Sequence, residues 1–312
     1  MYATAPRMAQ TSSAKETRVQ SVPEVVTGTN DALPSAKPTY VVDADKILSS
    51  HPKDLWAYRE LYLLLVKRDF VAVYKQTVLG PLWFFVQPFL ASLVFIVVFS
   101  QIARLPTTDL PPLVYYMSGI IVWTYFSNSL SQVASTFLSS GTIFRKIYFP
   151  RLIVPFSQIS MNFLNFIGQL LVLFGVIACY KLSGHRIELS LKILALPLVL
   201  ADMALLALGL GCIIAAATVK YRDLNIVVGY TLNLWMYGSL VIYPRSAVPA
   251  HLQPLLALNP MASFVESFRS CLFDTEHTTV QPAVIATLMT IVIAIIGIWC
   301  FAKAEGTFTD SI

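Results

Sequence analysis

Six stretches of this 312-residue chain are apolar enough, over enough residues, to be helices that cross a bilayer: approximately residues 79–102, 113–138, 153–180, 193–219, 224–243 and 282–302. A hydrocarbon core of ~30 Å takes about 20 residues of α-helix. Inside it every backbone N–H and C=O must find its partner within the protein, so few architectures are open to such a chain. The sequence predicts an all-α polytopic membrane protein with six transmembrane helices. Composition agrees, with 56% hydrophobic and only 12% charged residues, where a soluble domain carries about 25% charged. The second stretch turns polar toward its end (Ser127, Asn128, Ser129, Ser131, Gln132). The fifth is short and is set off from the fourth by Lys220, Arg222 and Asp223, a charge cluster too costly at mid-bilayer.

The flanks read differently. Residues 1–50 are rich in Ser, Thr, Pro, Ala and Val and lack the apolar core of a signal peptide. They predict a disordered cytoplasmic tail ahead of a six-span membrane domain, residues 51–312. Residues 54–76, DLWAYRELYLLLVKRDFVAVYKQ, place Lys53, Arg59, Glu60, Lys67, Arg68 and Lys75 within one half of a helical wheel, with Asp54 and Asp69 outside it. This is the pattern of an amphipathic helix lying in the headgroup plane, although a helix packed on protein would also carry it. Residues 244–281 hold four prolines and two apolar segments too short to cross. They predict two short re-entrant helices before the last span, broken near Asn259 and Pro260.

Orientation follows from Lys and Arg near the span ends. With the N-terminus inside, eleven such residues face the cytoplasm and six face outward. Both termini are predicted to be cytoplasmic. Because the basic residues sit in short clusters between apolar runs, they read as topology signals rather than a nucleic-acid surface.

Motifs for chemistry are missing. The sequence has no GxxxxGK[ST] phosphate loop, HExxH, GxSxG or paired intramembrane carboxylates. Cys179, Cys212, Cys271 and Cys300 form no CxxC pair, and His51, His185, His251 and His277 all fall outside the spans. No catalytic residue, metal site or disulfide is predicted. Asp202 is the one acidic residue well inside a span; it reads either as a relay site or as a structural residue bonded to a neighbouring helix. Gln158, Asn162, Asn165 and Gln169 repeat at helical spacing in the third span. That stripe suits interhelical hydrogen bonds and equally a sugar-facing pore. Trp83, Trp123 and Tyr125, with other aromatics near span ends, suit an aromatic belt or a stacking surface for sugar rings.

Four stretches carry a family resemblance: KRDFVAVYKQTVLGPLWFFVQP (67–88), RKIYFPRLIVP (145–155), KYRDL (220–224) and NPMASFVESFR (259–269). Arg68, Asp69, Tyr74, Leu79, Gly80, Trp83 and Pro88 stand at the family's spacing in the first. Together they resemble the permease subunits of type-2 ATP-binding-cassette exporters of O-antigen, capsule or teichoic acid chains, from about residue 54 onward. The resemblance implies a homodimer in the bacterial inner membrane, driven by a separate cytoplasmic ATPase dimer. ATP and Mg would belong to that partner, this chain binding no cofactor and being no enzyme. It implies ATPase coupling through Arg145, Lys146, Tyr148, Phe149 and Arg151, with Arg222 and Asp223 as a second contact. The implied substrate is a polysaccharide on an undecaprenyl-diphosphate carrier. Arg59, Lys67, Arg68 and Lys75 are then candidates for the diphosphate. Asn162, Asn165, Gln169, Trp83, Trp123 and Tyr125 are candidates for a glycan path. Two alternatives remain at this point: an exporter of a small molecule on the same fold, and a membrane-embedded glycosyl- or acyltransferase.

Overall fold

The computed structural model describes residues 58–75, 80–108, 110–140, 149–273 and 280–310. The predicted tail, residues 1–50, and the coupling candidates Arg145, Lys146 and Tyr148 lie outside them. The described residues are mostly helical, with an isolated antiparallel bridge between Leu189 and Phe273. In chain order the helices are α1 (Arg59–Tyr74), α2 (Trp83–Phe95), α3 (Pro112–Ala134), α4 (Thr136–Ser139), α5 (Ile153–Leu182), α6 (Leu196–Thr218), α7 (Leu224–Tyr237), α8 (Gln253–Ala257), α9 (Pro260–Leu272) and α10 (Val280–Asp310).

Three helical segments are long and apolar enough to cross a bilayer: Ile153–Leu182, Leu191–Thr218 and Gln281–Glu305. Val86–Ile102 is a shorter apolar helix. The first predicted span begins late, at Trp83, behind a 3₁₀ turn at Gly80–Leu82, and its far end, Ile96–Ile102, is wound as a π-helix. Pro88 lies inside α2, and the Ser92 hydroxyl donates to the Pro88 carbonyl at 2.7 Å.

The second and fifth predicted spans differ most from expectation. α3 is long enough, about 35 Å at 1.5 Å per residue, but it is the core helix, with 16 of its 23 residues buried. Of its polar residues Ser118 and Ser129 are buried, while Asn128 and Gln132 are exposed. α7 ends at Tyr237 after 14 residues, roughly 21 Å of helix, well short of the predicted 224–243. The chain then turns through Leu240, which is buried at φ 56°. That left-handed conformation costs a non-glycine residue about 1 kcal/mol or more.

Two side chains from α9 hold this turn. Asn259 caps α9 by accepting from the Met261 N–H, accepts from Trp235 Nε1 at 3.0 Å, and donates to the Gly238 carbonyl at 2.8 Å. Arg269, 8% exposed, donates to the carbonyls of Leu240 (2.7 Å) and Val241 (2.8 Å), and to the Tyr115 hydroxyl (3.0 Å). Its guanidinium also lies 3.8 Å from the Tyr115 ring centroid. Irregular backbone buried in a membrane protein needs such donors, since neither water nor lipid supplies them. The break at Asn259–Pro260 thus falls where two short helices, α8 and α9, were predicted. Arg245 forks onto Glu266 at 2.6 to 3.0 Å and ties the chain ahead of α8 to α9.

Replacing Asn259 with Ala removes a helix cap and leaves the Gly238 carbonyl without this donor. A cap alone is worth about 1 kcal/mol, and an unsatisfied buried carbonyl about 1–3 more. The expected loss is about 2 kcal/mol, read as a lowered melting temperature in detergent. Unchanged melting would contradict this account of the turn.

α6 is the central span: 56% of its apolar window is buried, against 22% for α5 and 28% for α10. α6 and α10 meet backbone to backbone at Gly209, Ala294 and Gly297, where added Cβ atoms would run into main chain. Small residues allow such approach between membrane helices. Near the other end of the same contact, Thr287 donates to Asp202 at 2.7 Å. The intramembrane carboxylate is bonded to a neighbouring helix.

Candidate functional site

One end of the bundle collects the segments read as motor-facing. Thr218, at the end of α6, donates to the Ala134 carbonyl at the end of α3 (3.4 Å). Phe137 of α4 stacks on Phe301 of α10, with centroids 4.7 Å apart. Arg151, just before α5, reaches Glu305 of α10. The second connection, the fourth connection and the C-terminal helix therefore share an end, as an alternating up-and-down path requires.

α1 docks at this same end. Tyr62 donates its hydroxyl to Ser160 Oγ at 2.6 Å, and Leu65 packs with Phe149, Ile153 and Val154. The helix is thus packed on protein along one face. Its remaining surface exposes Leu63, Leu64, Phe70 and Val71 together with Arg59, Lys67, Arg68 and Lys75. Exposed apolar and cationic residues on one helix are the composition of an interfacial segment. Arg68 is bonded to Asp69 at 2.7 Å, an exposed pair worth little on its own.

Two of the described coupling candidates are turned inward, not outward as their sequence motif suggested. Phe149 is 5% exposed and spends its ring on Leu65 and the start of α5. Arg151 is buried against the C-terminal helix. Both hold the segment just ahead of α5 to the bundle. Arg222 and Asp223 are exposed, just ahead of α7, next to Lys220, whose ammonium lies 5.2 Å from the Tyr221 ring centroid.

The candidates for a glycan path separate. Asn162 is buried and exchanges hydrogen bonds with Gln132 of α3, donating at 3.0 Å, while Gln158 accepts from Thr136 at 3.1 Å. Gln169 is buried and Asn165 half-buried. The α5 stripe thus meets the polar end of α3, which explains why that stretch of α3 is polar at all. Trp123 and Tyr125 are core residues, Trp123 packing edge-on to Trp235 and Tyr125 against Phe166. Trp83 is 49% exposed.

The sequence reading took α7 as a short span and did not single out its outward side. Its outward side carries Tyr230, Asn233 and Tyr237, all exposed and spaced so that they line one face. The same side also exposes Ile226 and Leu234. The signal was present as an i, i+3, i+7 pattern. It was hidden because Val228 and Leu232 on the opposite side are equally regular and are the residues that pack.

The sequence pattern of the family described as ABC-2 type transporter matches residues 60–273. The chain is 28% identical over 265 residues to the O-antigen export system permease protein RfbA of Myxococcus xanthus, covering 83% of this chain and 98% of that protein. It is 23% identical over 251 residues to an O-antigen export system permease protein RfbA of Klebsiella pneumoniae, covering 80% and 94%. It is likewise 23% identical over 253 residues to the capsule polysaccharide export inner-membrane protein CtrC of Neisseria meningitidis serogroup A, covering 77% and 89%.

Proposed function

The chain belongs to the ABC-2 type transporter family, and on that footing we propose that it is the membrane-spanning subunit of an ATP-driven exporter of lipid-linked polysaccharide. The observation that carries this reading is the near end-to-end match to permeases of two polysaccharide systems, O-antigen and capsule. In this reading the chain sits in the bacterial inner membrane with both termini cytoplasmic. It crosses six times, with α3 and α7 completing the set, and α8 and α9 dip back from the outer face. A second copy completes the conduit. A separate cytoplasmic ATPase dimer holds ATP and Mg and engages the stretch between α4 and α5, with Arg222 and Asp223 as a further contact.

The conduit needs a surface that holds sugars weakly and lets them slide. Tyr230, Asn233 and Tyr237 on α7 provide stacking faces and an amide, and Trp83 is exposed near the start of α2. Trp123 backs α7 through Trp235, and Asn162 and Tyr125 tie α3 to α5, where Asn165 and Gln169 continue the polar stripe. The carrier's diphosphate meets Arg59, Lys67, Arg68 and Lys75 at the headgroup level, where partly desolvated cations bind phosphate well.

Deleting the gene in its native host tests this. Surface polysaccharide is expected to disappear while the lipid-linked polymer accumulates inside. Complementation with the Tyr230→Ala/Tyr237→Ala variant is expected to restore membrane insertion but only a minor fraction of export. Undiminished surface polysaccharide in the deletion strain would rule the reading out.

A further inference from the structure

We propose that Arg151 and Glu305 form a positioning pair that passes motion of the motor-facing stretch into α10, and through α10 into the centre of the bundle. This rests on the transport reading above. Described residues on either side of positions 141–148 both contact one turn of α10. Before them, Phe137 stacks on Phe301 at 4.7 Å with 26° between the rings. After them, Arg151 Nη1 donates to the Glu305 carbonyl at 3.0 Å, and its Nε lies 3.8 Å from Glu305 Oε1.

The link rests first on the hydrogen bond from Arg151 to the Glu305 carbonyl, with the two opposite charges nearby. The side chains are 9% and 18% exposed, so salt screens them far less than a surface pair. Separating a mostly buried pair leaves each charge poorly solvated, which resists sliding between the two segments.

What α10 receives it transmits with little slack. Phe301 and Glu305 lie one to two turns beyond Gly297, where α10 meets Gly209 of α6 main chain to main chain. No side chain at that crossing can change rotamer to absorb a displacement. α6 is more enclosed than α5 or α10, so a pull on Arg151 acts on the interior of the bundle rather than on a loose surface helix. Glu305 has no place in the family motif quoted above; only its position opposite Arg151 points to it.

The test uses the full chain with its ATPase in proteoliposomes, reading polymer exported per ATP hydrolysed alongside the melting temperature. Arg151→Gln and Glu305→Gln are expected to lower that ratio about tenfold, the scale of an ordinary coupling free energy. Arg151→Lys keeps the charge and should lose less. The exchange Arg151→Glu/Glu305→Arg restores the opposite charges but not the donor to the residue 305 carbonyl, so it is expected to recover part of the ratio. An unchanged ratio in both single variants overturns the proposal. So does a ratio that only follows the melting temperature, with no recovery in the exchange. A wild-type complex without ATP-dependent export would overturn the transport reading and this proposal together, which separates the two failures.

Discussion

An Arg269→Leu variant is expected to lose about 3–5 kcal/mol of stability and to melt roughly 10 °C below the wild type in detergent. The leucine would keep much of the volume while removing the donors that serve the Leu240 and Val241 carbonyls and the Tyr115 hydroxyl. Each buried acceptor left without a partner costs about 1–3 kcal/mol, and the stacking on Tyr115 is lost as well. Arg269→Lys retains a charge but not the planar fork, so it should recover less than half of the loss. Gly119→Ala should act in the same direction from the other side, since its Cβ would stand 2.6 Å from Arg269 Nη2 and 2.9 Å from the Val241 carbonyl oxygen. Melting of Arg269→Leu within a degree or two of the wild type would show that the turn after α7 is held by something else.

The second large effect is expected at the α6–α10 crossing. Gly209→Leu should cost at least about 3 kcal/mol, the upper part of the range for overpacking. The Cβ alone would sit 2.7 Å from Ala294 Cα and 2.8 Å from its nitrogen. Main chain cannot move aside as a side-chain tip can, so the helices themselves must separate. Parting them would also stretch the Asp202–Thr287 hydrogen bond. The control is the same substitution on α5: Gly175 is exposed and a Cβ there meets nothing within 4 Å, so Gly175→Leu should stay within about 0.5 kcal/mol of wild type. Size-exclusion profiles after a heat step would distinguish them. Similar profiles for the two variants would refute the close-packing argument.

Where the sequence was legible, the physics was local. Runs of apolar residues dictate helices whatever surrounds them, because hydrocarbon offers a backbone no other partner. α5, α6 and α10 accordingly lie close to the predicted spans. The break at Asn259–Pro260 was readable for a similar reason: asparagine caps a helix and proline suits its first turn.

Tertiary structure decided what depends on partners distant along the chain. Arg269 counted in the sequence as one more cation of an outer loop, yet it is the buried donor that allows α7 to stop at Tyr237. Phe149 and Arg151 sat in a motif that suggested a docking surface, but Leu65 and Glu305 turn them inward. Hydropathy scores each residue by its own transfer energy. Whether a polar group in a membrane helix faces a conduit, a lipid or another helix depends on which donor or acceptor the fold brings opposite it, and that choice is made across intervals of tens to over a hundred residues.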